Sequence, residues 1–284
     1  MKLKLIAAAA AFAAAGAAHA AIALPTATGN SDLVASFYSV ASNSSVYFDL
    51  GVSMSDFAAA TGGASGTGIK LVWDLDAGTF QDLSAAATGL ATQAINYGSV
   101  FTSFLGEVSL GDVKFDVKAG DRQYSGLQPA AGAVSLLTTS AAPTVSSTNS
   151  NLLTALTNLN TAFGFMNGDT TSSTHSDAAG ANKFDEGDNA QQLAYLNAQG
   201  ENIKVLPFQT AGSIANPLNM FLVSYTTGIN PTAVTTYAGQ WSFDSVTNQL
   251  IYATAPVPEP EAFAMLLAGL GLMGAIARRR RTQA

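Results

Sequence analysis

The stretch VPEPEAFAMLLAGLGLMGAIARRRR, residues 257–281, limits what this chain can fold into more than any other. Pro258 and Pro260 lack an N–H, fix φ and bias the residue before each away from helix. Residues 256–260 therefore read as an extended strip that cannot join a sheet interior. Residues 262–277 follow without a single charge, with four leucines, two methionines, Phe263 and Ile276 among them. As a helix they cover about 24 Å at ~1.5 Å per residue, short of the ~30 Å hydrocarbon core of a bilayer. Arg278, Arg279, Arg280 and Arg281 can snorkel to lengthen that span, and their charge keeps them cytoplasmic. Gly269, Gly271 and Gly274 suit a membrane helix better than a soluble one. Four arginines at its end argue against a buried core helix. The globular body must stop near Ala255, and residues 256–284 form a separate tail.

Pro258-Glu259-Pro260, the Leu-Leu-Ala-Gly-Leu-Gly-Leu run at 266–272 and the arginine cluster together resemble the PEP-CTERM sorting signal. A tryptophan often found shortly after that motif is replaced here by Phe263. The resemblance covers about 27 of the 284 residues, at the very C-terminus. It implies an exported protein of a Gram-negative bacterium, sorted through an inner-membrane-anchored precursor to the cell surface or extracellular matrix. It also implies processing by a membrane protease of the exosortase class, often in species that make exopolysaccharide. It carries no statement about the body.

The other end agrees. Lys2 and Lys4 precede an apolar run over 5–18 and then Ala18-His19-Ala20, the pattern of a secretory signal peptide over residues 1–20. The expected cut lies between Ala20 and Ala21, with a cut after Ala23 as the second choice. Secretion machinery is thus an expected partner. Between the two ends, 17 Asp and Glu stand against 6 Lys and Arg, so the body carries −11. So acidic a body does not bind nucleic acid or anionic lipid through a basic surface. The chain has no cysteine, so neither disulfides nor thiol chemistry contribute, although the protein leaves the cytosol.

The body, residues 21–255, reads as mainly β, an antiparallel β-sandwich-like domain with a small helical insertion at about 148–200. Strands are expected at 33–40 and 46–50, joined by a hairpin turn, and at 69–75, 113–118, 133–138, 203–206, 220–226, 240–244 and 249–253. In 113–118, Val113, Phe115 and Val117 alternate with Lys114, Asp116 and Lys118, predicting one buried face and one wet one. Residues 53–60 suggest one or two helical turns. The glycine-rich 62–68 lacks the lysine of a phosphate loop and reads as a linker. Residues 138–150 hold eight Ser and Thr and read as a loop open to O-linked sugar. Leu152, Leu156, Leu159 and Phe163 then follow helical spacing, with Asn149 or Ser150 as N-cap, and a second helix is expected over 190–199.

Candidate chemistry is sparse. His175 is the one histidine left after signal removal and sits in a Ser- and Thr-rich stretch, which argues against a catalytic triad or a zinc site. Asp169, Asp177, Asp185, Glu186 and Asp188 cluster in a Gly- and Asn-rich segment whose oxygens suit calcium, without EF-hand spacing. No other cofactor is expected. Asp74, Asp76 and Asp116 lie near strands and could supply the paired carboxylates of a glycoside hydrolase. Trp73 and Trp241 could stack sugars, as in a carbohydrate-binding module that holds exopolysaccharide; a place in the core is their alternative use. The leading expectation is a non-catalytic protein of the envelope or matrix. A carbohydrate-binding module comes next, and an exported glycoside hydrolase third.

Overall fold

The computed structural model describes residues 22–26, 29–91, 93–94, 97, 100–122, 129–168, 175–176, 183–185, 203, 205–227 and 231–254. The signal segment, the tail helix over 262–277 and the expected helix over 190–199 lie outside the described residues.

A hairpin opens the fold, β1 (Asp32–Ser39) and β2 (Ser44–Ser53), turning through Asn43 at φ 53, a left-handed conformation that asparagine tolerates. Helix α1 (Met54–Thr61) follows directly. Ser53 caps it by accepting from the Asp56 N–H at 3.2 Å, and Gly62 ends it at φ 63. Then come β3 (Lys70–Asp74), β4 (Thr79–Asp82), β5 (Gln93–Ala94), α2 (Val100–Glu107), β6 (Val113–Asp121), β7 (Ser135–Ser140) and α3 (Asn149–Gly168). The short β8 (His175–Ser176), β9 (Lys183–Asp185) and β10 (Gly212–Ser213) precede β11 (Leu218–Ser224), β12 (Ala233–Asp244) and β13 (Gln249–Thr254).

All pairings are antiparallel and the strands join one sheet, in the order β5-β4-β3-β13-β12-β11-β7-β6-β1-β2-β9-β8, with β10 beside β6. The expected two-sheet sandwich is therefore corrected to a single curled sheet, a half-barrel. Two contacts demonstrate the curl. Phe37 on β1 and Phe243 on β12 lie four strand spacings apart, about 19 Å along a flat sheet, yet their ring centroids are 5.2 Å apart. Trp73 on β3 is seven spacings from β2, about 34 Å if flat, yet its Nε1 donates to the Leu50 carbonyl at 2.9 Å. Strand twist, accumulated over so many strands, brings the two halves face to face.

Each face buries its own core. The concave face holds Phe37, Phe48, Phe115, Trp73, Trp241, Phe243 and Tyr252, with α1 and α2 adding Phe57, Phe101 and Phe104. The convex face holds Val34, Tyr38, Leu136, Phe221 and Val223 beneath Leu152, Leu156, Leu159 and Phe163 of α3, joined by Ile203, Leu206 and Phe208. So α3, within the expected helical span of about 148–200, lies as a layer over this face. Within the supposed insertion, β8 and β9 extend the sheet.

Several local expectations are corrected. Lys118 and Asp116 are buried, because α3 and the 203–211 segment cover the face that alternation assigned to water. Thr148, whose Oγ1 accepts from the Asn151 N–H at 3.2 Å, caps α3 in place of Asn149 or Ser150. Asn149 instead clamps Thr226, donating to its carbonyl at 2.7 Å and accepting from its N–H at 3.1 Å. The 203–206 strand gives way to a turn in which the Leu206 N–H donates to the Ile203 carbonyl at 3.0 Å. The 138–150 loop shortens to 141–148, since β7 runs on to Ser140.

Candidate functional site: a buried polar cluster and the exit of the tail

The strongest electrostatic feature among the described residues lies on the convex face of β6. Asp116 and Lys118 are two residues apart on one strand, so their side chains leave the same face. Both are 0% exposed. Lys118 Nζ donates to Asp116 Oδ1 and, at 2.7 Å, to the Ser36 hydroxyl on β1, directly opposite Asp116 in register. Burial pushes the Asp116 carboxyl above its ordinary value and the Lys118 amine below its own, against the mutual attraction of the pair. Asp116 Oδ2 has no hydrogen-bond partner among the described residues. A hydroxyl this close to an amine has the spacing of a nucleophile and its base. Here, however, the amine is already held by a carboxylate and Ser36 is as buried as its partners, so the cluster offers a substrate no approach.

The sequence-predicted residues are placed as follows. Trp73 and Trp241 are both fully buried and face each other, ring centroids 5.2 Å apart. Trp241 also stacks on Phe57 at 5.7 Å. The sugar-stacking assignment is corrected to the core, because the curl turns both rings inward. Asp74 and Asp76 share the β3–β4 turn, where Asp74 Oδ1 accepts from the Asp76 and Ala77 N–H groups at 3.1 and 2.7 Å. Asp76 Oδ2 accepts from the Asn248 amide at 2.7 Å, tying this turn to the β12–β13 turn. Asp116 lies on β6, five strand spacings from β3, and is fully buried, so the three carboxylates proposed for glycoside hydrolysis do not come together. Asp185 lies on β9 opposite Ser45, and His175 on β8. Asp169, Asp177, Glu186 and Asp188 of the candidate calcium segment lie outside the described residues, as do Ala20 and Ala21. Among the described residues no three His, Cys, Asp or Glu are grouped to hold a metal.

Sequence reading missed the buried Asp116–Lys118 pair. Its one available signal was opposite charges at i and i+2 within a strongly apolar strand, and alternation assigns those to water.

Among the described residues, the surface clefts include the following two. One of about 390 Å³ lies between α1, Phe80 and Gly89. The other, about 580 Å³, lies between Leu110, Ile214 and Phe243. Neither gathers a nucleophile, a base and an acid.

The body holds its C-terminal end firmly up to the tail. β13 lies between β12 and β3, and its last residue, Thr254, is buried. The Thr254 N–H donates to the Ile69 carbonyl at 3.0 Å, and its hydroxyl accepts from the Ile69 N–H at 2.9 Å. Two residues beyond this clamp, the PEP-CTERM protein-sorting motif begins, matching residues 256–281. The chain carries a PEP-CTERM sorting signal. It is therefore an exported protein of the cell envelope or surface, and a substrate of exosortase, a membrane protease. No curated protein and no solved structure matches the chain. Among the described residues no helix is long and apolar enough to cross a membrane. The sorting motif thus begins two residues beyond the last hydrogen-bonded residue of the folded body, Thr254.

Proposed function

We propose that this protein is a non-catalytic component of the envelope or extracellular matrix, held in the inner membrane by residues 262–277 until exosortase cuts at or near Pro258-Glu259-Pro260. The sorting motif at 256–281, directly after a clamped final strand, is the observation that carries the reading. Prolines keep the strip 256–260 extended and out of both the sheet and the membrane helix, so a protease at the bilayer surface meets an accessible backbone. Arg278 to Arg281 hold the helix beneath it. The body contributes a stable domain whose concave face is filled by its own aromatic side chains, which supports a structural role.

The test replaces Pro258-Glu259-Pro260 by three alanines, which lets the helix extend through the site. Uncut precursor is expected to accumulate in the membrane fraction on a blot for the body, while the unaltered chain is shortened only in cells that contain exosortase. Equal product size and distribution for both chains in both strains would refute the reading.

A further inference from the structure

We propose that in the uncut precursor the face of the body around Thr254 is turned against the bilayer surface, so that the opposite end, with its hairpin turns at 40–43, 75–78 and 245–248, points outward. This rests on the membrane-held tail of the reading above and adds which surface meets the lipid.

Three observations carry it. The first is where the chain leaves the sheet. Followed through the antiparallel register from β1 to β13, Thr254 lies on the side where β1 begins and β2 and β6 end, opposite the three turns. The N-terminal stretch packs on the same side, with the Ala23 N–H donating to Asp32 Oδ2 at 2.8 Å and the Arg122 N–H to the Pro25 carbonyl at 3.0 Å. Neither terminus of the body therefore leaves through the end with the turns.

The second is the short tether. Residues 255–261 are all that separates the clamped Thr254 from the apolar run, and Pro256, Pro258 and Pro260 are among them. Fully extended, seven residues reach at most about 24 Å. The six residues of β13 alone span about 20 Å, so the body cannot withdraw far beyond its own dimensions, and the Thr254 end stays nearest the lipid.

The third is surface chemistry. Segments 57–69 and 83–91 flank the exit, the second placed there by the Leu83 and Ala85 N–H groups donating to the Lys70 and Gly68 carbonyls at 2.8 Å. Neither contains a charged residue, although Asp56, Lys70 and Asp82 border them in sequence. Ala59, Ala64, Ser65, Thr67 and Ala85 are exposed, and Leu83 is 52% exposed. The far end carries Asp74, Asp76, Glu107, Asp112 and Asp244. On the exit side, which also carries Asp32, Asp56, Asp82 and Asp121, these two uncharged, small-residue segments are the stretches that can approach headgroups without stripping water from carboxylates.

The absence of cysteine makes the test direct. Full-length precursor from cells lacking exosortase is prepared with one introduced cysteine, Ala64→Cys or Ala86→Cys at the exit face, or Val246→Cys at the 90%-exposed distal turn. Each is labelled with a fluorophore and reconstituted into phosphatidylethanolamine–phosphatidylglycerol vesicles carrying headgroup spin labels. Collisional quenching is expected to be several-fold stronger at both exit-face positions than at the distal turn. Equal quenching at all three, or stronger quenching at position 246, would overturn the orientation. Precursor that washes off the vesicles in alkaline carbonate would instead remove the membrane-held tail, and this inference with it.

Discussion

The two faces of the sheet solve burial in different ways. The concave face is closed by rings: Phe37 alone meets Phe48, Phe101, Phe115 and Phe243 at centroid distances from 5.2 to 6.2 Å. No charged side chain belongs to that cluster. The convex face is closed by a helix of leucine and alanine laid over a sheet surface that also contains a buried Lys–Asp pair. An aromatic interior gains from area and from edge-to-face geometry. A buried pair gains little over well-packed apolar residues, but it is very sensitive to losing one partner. The lesson is that one sheet can carry a core held by packed aromatic area on one face and a core that depends on a complete charge pair on the other.

The largest effect is expected at the concave face. Trp73→Ala empties a large buried site and orphans the Leu50 carbonyl, and should cost about 3–5 kcal/mol by urea unfolding, the usual range for such truncations. Unchanged stability would mean that the ring is not in a core at all.

On the convex face, Lys118→Met should cost about 3–5 kcal/mol by leaving Asp116 buried without its cation. The double variant Asp116→Leu with Lys118→Met should recover most of that loss. A double variant as unstable as the single would show that the pair contributes more than its charges.

Two glycines compare the faces directly. A Cβ at Gly239 would meet the Tyr252 ring at 2.4 Å, and one at Gly120 would meet Leu156 Cδ2 at 2.6 Å. The leucine can change rotamer while the packed ring cannot. Both alanine variants should be destabilised within the ~1–3 kcal/mol typical of overpacking, Gly239→Ala more than Gly120→Ala. The reverse order would place the stiffer packing under α3.

The smallest effect is electrostatic and lies at the sheet's rim. Burial raises the Asp82 carboxyl, but hydrogen bonds from the Ser84 and Thr88 side chains and N–H groups outweigh it and hold it below its ordinary value. A lowered folded value gives stability that is complete above the ordinary carboxylate range and is lost as pH falls through the folded value. Asp82→Asn should therefore flatten the fall of melting temperature on acidification and leave the neutral-pH slope alone.

Much of the fold was legible in the residues. β1, β3, β6 and β13 lie within a residue or three of where β-branched and aromatic runs put them, because those side chains fit a pleated surface in any tertiary setting. α1 was legible only as one or two helical turns over 53–60, and α3 from leucines at helical spacing. β4, β5, β10 and α2 were not anticipated. β4 and β10 are short and depend on a neighbouring strand for their hydrogen bonds, while α2 is held by Phe101 and Phe104 packing into an interior formed by distant strands.

The candidate site divides the same way. The sorting tail was readable because its pattern is local: prolines, an apolar run and arginines in sequence order are recognised without a fold. The roles of Trp73, Trp241, Asp116 and Lys118 were not, since burial of a side chain is decided by what arrives from elsewhere in the chain. By itself the sequence determined the main strands β1, β3, β6 and β13, the helical spacing of α3 and the sorting signal of this protein. Only the tertiary structure decided that one sheet curls until β3 reaches β2, which sends the tryptophans inside. It alone decided too that α3 and the 203–211 segment close over β6, which turns two ordinary surface charges into a buried pair.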